Sequence, residues 1–81
     1  MARGELKVSK LERDALAILN SRYLESGKTH QQIADDVGIS RTSVLKSLAG
    51  DRATTYSEFV GISHSLGLRA WKVMQEVENK N

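Results

Sequence analysis

The sequence predicts an all-α domain, a compact bundle of five helices, on three observations. Apolar residues recur at spacings of three and four, and no segment alternates as a strand would. The chain has no proline and is punctuated instead by Gly27, Gly38, Gly50 and Gly67. Each follows an apolar-periodic segment, where a residue able to adopt positive φ ends a helix at little cost. Finally, "SKLE", "THQQ" and "TYSE" each place Glu or Gln three residues after Ser or Thr, the capping-box pattern of a helix start. At 81 residues there is room for one core, and a chain of this length buries roughly 60–65% of the surface it exposes unfolded.

Residues 1–8 read as a flexible basic arm carrying Arg3 and Lys7, and residues 9–81 as the folded domain. The first helix, near 9–26, opens on Ser9 to Glu12 and sets Leu11, Ala15, Ile18, Leu19 and Tyr23 on one broad face. The second, about 30–37, follows the box Thr29 to Gln32 and turns Ile33, Ala34 and Val37 inward. Ser40 caps the third, about 41–49, whose inward residues are Val44 and Leu48. The box Thr55 to Glu58 starts the fourth, 56–66, with Tyr56, Phe59, Val60, Ile62 and Leu66 toward the core. The fifth, 69–79, carries a stripe of Ala70, Val73, Met74 and Val77 with Trp71 at its edge. Ile39 and Leu68 plug the turns. Only "GIS" separates the second and third helices, and so short a connection forces them to cross steeply. Ala34 lies where the third helix comes closest, Gly38 supplies the backbone conformation, and Ile39 buries the corner.

Several classes of chemistry are set aside by composition. Without cysteine there is no disulfide, thiolate metal site or cysteine nucleophile, and a reducing compartment is expected. His30 and His64 are the only histidines and fall on different helices, with no carboxylate at metal-ligand spacing. Asp35 and Asp36 are adjacent and therefore point apart on a helix, which does not suit a general acid and base pair. The serines sit at caps and on helix faces without an evident base. The expectation is a non-enzyme with no metal and no cofactor. No stretch approaches the ~18 apolar residues of a membrane span, and "MARGELKVSK" lacks the apolar run of a signal peptide, so a soluble intracellular protein is expected. The net charge of +2 is unevenly spread: residues 1–13 and 40–52 each carry +2, whereas 14–39 carry −2. This distribution fits either a basic face for a polyanion or a mixed solvated surface.

"HQQIADDVGISRTSVLKSLAG", His30 to Gly50, resembles the helix-turn-helix of the lambda-repressor-like family, also called XRE or Cro type. Alanine falls at the fifth position of the motif and glycine at the ninth. Apolar residues occupy the fourth, eighth, tenth and fifteenth, and glycine follows the third helix. The similarity runs on without a gap through "DRATTYSEFVGISHSLGL", Asp51 to Leu68, including the closing Leu-Gly-apolar triplet. It implies a sequence-specific, double-stranded-DNA-binding transcriptional regulator of the bacterial cytosol or nucleoid, most like a small phage Cro or repressor that occludes a promoter.

The resemblance assigns roles by position. The third helix becomes the recognition helix, its N-terminal end in the major groove. Arg41 and Thr42 stand at the first two base-reading positions, Ser43 follows, and Lys46 lies one turn later on the same outward face. Arg41 suits guanine O6 and N7, or alternatively is a phosphate clamp or a solvated arginine; Lys46 suits a phosphate or a base. Thr29, His30 and Gln31 at the start of the second helix, with Ser40, would hold phosphate. His30 stands where the family often has a glutamine that buttresses the first base-reading residue, so it would orient Arg41 or remain an ordinary exposed histidine. Arg52, Thr54 and Thr55 lie in a loop that the family lays along the opposite strand.

Three departures from the family pattern stand out. The usually apolar eighteenth position is Ser47, and Leu45 and Leu48 flank it where polar residues are common. Either the third helix is rolled so that Leu48 enters the core, or Leu45 faces DNA, where it would touch a thymine methyl at the groove edge. The third departure is Thr54, which replaces a frequent proline. Because one unit reads too few base pairs to find a genomic site alone, Trp71 and Met74 are expected to form an isologous homodimer contact on a near-palindromic operator. No separate oligomerisation domain is expected. The arm is either a tail or a minor-groove contact. The alternative function is a protein-interaction module of the same fold, such as an antitoxin or antirepressor.

Overall fold

Hydroxyl side chains cap four of the five helices in the computed structural model, which describes residues 9–80. The helices are α1 Lys10–Ser26, α2 His30–Val37, α3 Arg41–Ala49, α4 Tyr56–Ser65 and α5 Ala70–Lys80, with no strand among the described residues. Thr29 and Thr55 complete their capping boxes. Each side chain accepts the amide three residues on, while Gln32 or Glu58 accepts the N–H of the cap itself. The box expected at Ser9 is half formed. Its hydroxyl accepts the Glu12 amide at 3.1 Å, but the Glu12 carboxylate crosses to the Thr54 N–H at 2.8 Å and ties α1 to the loop before α4.

Gly38 controls the connection between α2 and α3. At φ 85° its N–H donates to the Ala34 carbonyl at 2.7 Å, and the Ile39 N–H joins the same oxygen at 3.1 Å. The left-handed residue thus satisfies the end of α2 and redirects the chain into α3 within three residues. α2 packs against α3 and α4, α1 against α3 and α5, and α4 against α5. Gly61, in the middle of α4, permits the second of these contacts, because a Cβ there would lie 3.0 Å from Val37.

The core is drawn from every helix. It comprises Ala15, Leu16 and Leu19 of α1, Ile33 and Ala34 of α2, Val44 and Leu48 of α3, Ile62 of α4, and Val73 and Val77 of α5. Ile18, Tyr23, Val37, Ile39, Phe59, Leu66 and Leu68 pack half-buried around it. Leu16 was not expected inside. Because α1 is covered by both α3 and α5, its buried face is broader than one stripe and centres on Ala15, Leu16 and Leu19. Two residues expected in the core are exposed instead, Leu11 at 52% and Tyr56 at 82%. Each occupies the first turn of its helix, at the margin of the packed elements.

Among the described residues, Ser47 and Ser63 are the buried polar ones. The Ser63 hydroxyl donates to the Phe59 carbonyl at 2.9 Å, and Ser47 accepts bonds from Arg52 and Thr54. No buried side-chain nitrogen or oxygen among the described residues lacks a partner.

Candidate nucleic-acid interface

α3 starts at Ser40, whose Oγ accepts the Ser43 amide at 3.0 Å and donates to the Ser43 Oγ at 2.9 Å. Ser43 is therefore half-buried and bonded to its own cap, unlike the other base-reading candidates. Arg41, Thr42, Leu45 and Lys46 are exposed, and their spacing puts them on one face of α3. Neither Arg41 nor Lys46 has an ionic partner among the described residues, whereas Lys10, Arg22, Lys28 and Arg52 each pair with a carboxylate. Of the two alternatives for this helix, the packing one is met, since Leu48 is buried; Leu45 is 42% exposed.

At the start of α2 the picture is mixed. The Thr29 hydroxyl oxygen is occupied by the Gln32 amide, and the Gln31 side-chain amide donates to Asp35 at 2.9 Å. The His30 ring stacks on Tyr23 of α1, with centroids 4.5 Å apart and planes 14° from parallel. It buttresses α1, and no hydrogen bond joins it to Arg41 among the described residues. The chain entering α2 is anchored by Lys28, whose Nζ donates to the Ser65 carbonyl at 2.5 Å and to Asp36 at 3.1 Å. The Ser65 hydroxyl completes the cluster by donating to Asp36 at 2.7 Å. That bond, followed by the Lys28 ammonium, lowers the Asp36 carboxyl below its ordinary value.

After α3, two of the residues expected to hold phosphate turn inward. Arg52 Nη1 donates to Ser47 Oγ at 2.9 Å and to Glu58 Oε1 at 3.1 Å, and the Thr54 hydroxyl donates to Ser47 Oγ at 3.1 Å. Thr55 serves as the cap of α4. For Glu58, burial raises the carboxyl's affinity for a proton, but the Thr55 N–H and the Arg52 guanidinium together outweigh it, so the net shift is downward. The sequence reading did not identify Glu12, Ser47 and Glu58 as partners of this loop. The one signal available was the polar residue at position 47, in a place that periodicity assigns to the core.

Trp71, 60% exposed, and Met74 line a 630 Å³ groove with Tyr56, Phe59 and Ala70. A neighbouring groove shares Tyr56, Phe59 and Met74 and adds Leu11. Lys72 Nζ lies 5.6 Å from the centre of the Trp71 ring. No α3 residue lines either groove, so the apolar surface and the outward face of α3 are separate. Arg3 and Lys7 of the arm lie outside the described residues.

Among the described residues, no three His, Asp or Glu side chains gather as a metal site would require, and no helix is long and apolar enough to cross a membrane. No family model matches the chain, and neither a curated protein nor a solved structure shows significant similarity to it.

Proposed function

We propose that the chain is a sequence-specific double-stranded-DNA-binding regulator of the lambda-repressor-like type, with α2 and α3 as its helix-turn-helix. The observation that carries this reading is the outward face of α3. Arg41, Thr42, Leu45 and Lys46 stand together on a capped helix, and neither cation forms an ion pair among the described residues. In this reading the N-terminal turn of α3 enters the major groove, and Arg41 grips guanine O6 and N7. The free amides of His30 and Gln31, at the positive end of α2, face the phosphate backbone. Thr42 and Leu45 offer methyl groups to thymine, and Lys46 reaches a base or a phosphate. Binding across a promoter represses by occlusion, as a small phage Cro or repressor would.

The apolar surface around Trp71 and Met74 supplies the dimer contact. Two copies joined there would set their α3 helices one DNA turn apart, about 34 Å, on a near-palindromic operator. Selection from a random duplex pool tests both parts. The expected product is a motif of two inverted half-sites, with affinity falling steeply as salt is added. A pool that yields no enrichment would reject the regulator reading, and sedimentation as a monomer both free and on DNA would reject the dimer.

The same groove supports a second reading, in which this domain binds a partner protein as an antitoxin or antirepressor does. Salt-indifferent capture of one defined protein, together with failure to enrich any duplex, would favour it.

A further inference from the structure

The loop between α3 and α4 is held by polar side chains drawn from three helices. The Thr54 N–H donates to Glu12 of α1 at 2.8 Å, and the Thr54 hydroxyl donates to Ser47 of α3 at 3.1 Å. Arg52 bridges the same Ser47 oxygen and Glu58 of α4, and Glu58 also accepts the Thr55 N–H at 3.2 Å. Ser47 is wholly buried, so these bonds leave no room for water to replace a lost partner. The Arg52 guanidinium already faces a carboxylate that is itself only 18% exposed. A phosphate approaching Arg52 would have to compete with that carboxylate, whereas Lys46 carries no such internal claim on its charge.

We propose that Arg52, Ser47, Thr54, Glu12 and Glu58 form a positioning network that holds α3 and the 51–55 loop as one rigid unit. Arg52 then governs DNA binding through this geometry and not as a phosphate ligand. The second statement rests on the DNA-binding reading above; the first stands without it. The two roles differ in what salt does. Each phosphate neutralised contributes about 0.9 to the slope of log affinity against log salt, so losing a phosphate ligand flattens the slope. Losing a positioning residue lowers affinity and leaves the slope in place.

The test combines amide hydrogen exchange with DNA titrations over a range of salt, on the wild type and on Arg52→Gln, Thr54→Val and Thr54→Ser. Valine keeps the shape of threonine but puts a methyl in place of the hydroxyl; serine keeps the hydroxyl and drops the methyl. In the wild type the Thr54 amide should exchange at least about tenfold more slowly than an open amide. Arg52→Gln and Thr54→Val should both lose much of that protection, and Thr54→Ser should keep it. On DNA, the first two variants should bind several-fold more weakly with an unchanged salt slope. A wild-type Thr54 amide that exchanges freely would overturn the network. An Arg52→Gln slope reduced by about 0.9 would overturn the positioning role and restore Arg52 as a phosphate ligand. If the wild type bound no DNA, the regulator reading and the Arg52 role would fall with it, and Thr54 exchange would still decide the network.

Discussion

Arg41 is the first residue of α3, directly after its cap, and forms no ion pair among the described residues. Its removal therefore separates binding from stability. Arg41→Ala should leave unfolding free energy within about 0.5 kcal/mol of the wild type, as for a surface change without partners. The same substitution should cost roughly 1–3 kcal/mol of discrimination at one base pair, measured by competition between the selected duplex and its single-base variants. The two leucines of this helix make a second comparison. Leu48 is buried and Leu45 is 42% exposed, so Leu48→Ala should cost about 2–5 kcal/mol of stability and Leu45→Ala less than about 1 kcal/mol. Leu45→Ala should instead weaken preference at a thymine. If denaturant titrations gave it a core-sized loss with base preference intact, Leu45 would belong to the packing and not to the interface.

The starts of α1 to α4 and the ends of α1 to α3 are legible in this sequence because each is set by chemistry within a few residues: a hydroxyl that accepts an amide, or a glycine that takes positive φ. Thr29 illustrates how much one such residue carries, since its side chain accepts the Gln32 amide and its N–H donates to the Gln32 side chain. Thr29→Ala should cost about 1 kcal/mol in denaturant unfolding, and Thr29→Ser should recover most of it. Burial is less legible, because periodicity says which residues share a face but not how many neighbours cover it. Leu16 is buried because α1 is covered by both α3 and α5, while Leu11 and Tyr56 sit in first turns and line open grooves. In the candidate site, the resemblance implies Arg41, Thr42, Ser43, Leu45 and Lys46 as an outward set, and all of these but Ser43 are exposed. The inward turn of Arg52 and Thr54 is not legible, since it depends on the path of a loop that no period describes. Read separately, serine at 47 and threonine at 54 are two departures from the lambda-repressor-like pattern that the sequence resembles. In the fold they are one feature, because their hydroxyls bond to each other.

Two polar clusters extend across the bundle and make its stability a property of several helices at once. Lys28, Asp36 and Ser65 join the start of α2, its last turn and the end of α4, while Arg52, Ser47, Glu58, Thr54 and Glu12 join α1, α3 and α4. Each contains a carboxylate whose proton affinity is lowered by folding: Asp36 from an ordinary 3.8 by Ser65 and Lys28, and Glu58 from 4.5 by Thr55 and Arg52 against the opposing effect of burial. A carboxyl that is more acidic when folded favours the native state wherever it is ionised in both states. Its contribution is therefore complete above the unfolded value and declines as pH falls below about 4.5 toward the lower folded value. Thermal unfolding between pH 7 and pH 3 should accordingly show a loss of stability that begins near pH 4.5 and deepens through the Asp36 range. Glu58→Gln keeps the shape of the side chain and removes its titration. That variant should be less stable than the wild type at pH 7, and the gap should narrow steadily on acidification as the wild-type carboxylate takes up its proton. A gap that stayed constant from pH 7 to pH 3 would mean that the charge of Glu58 contributes nothing beyond its hydrogen-bonding shape, and that the Arg52 pairing does not stabilise the fold.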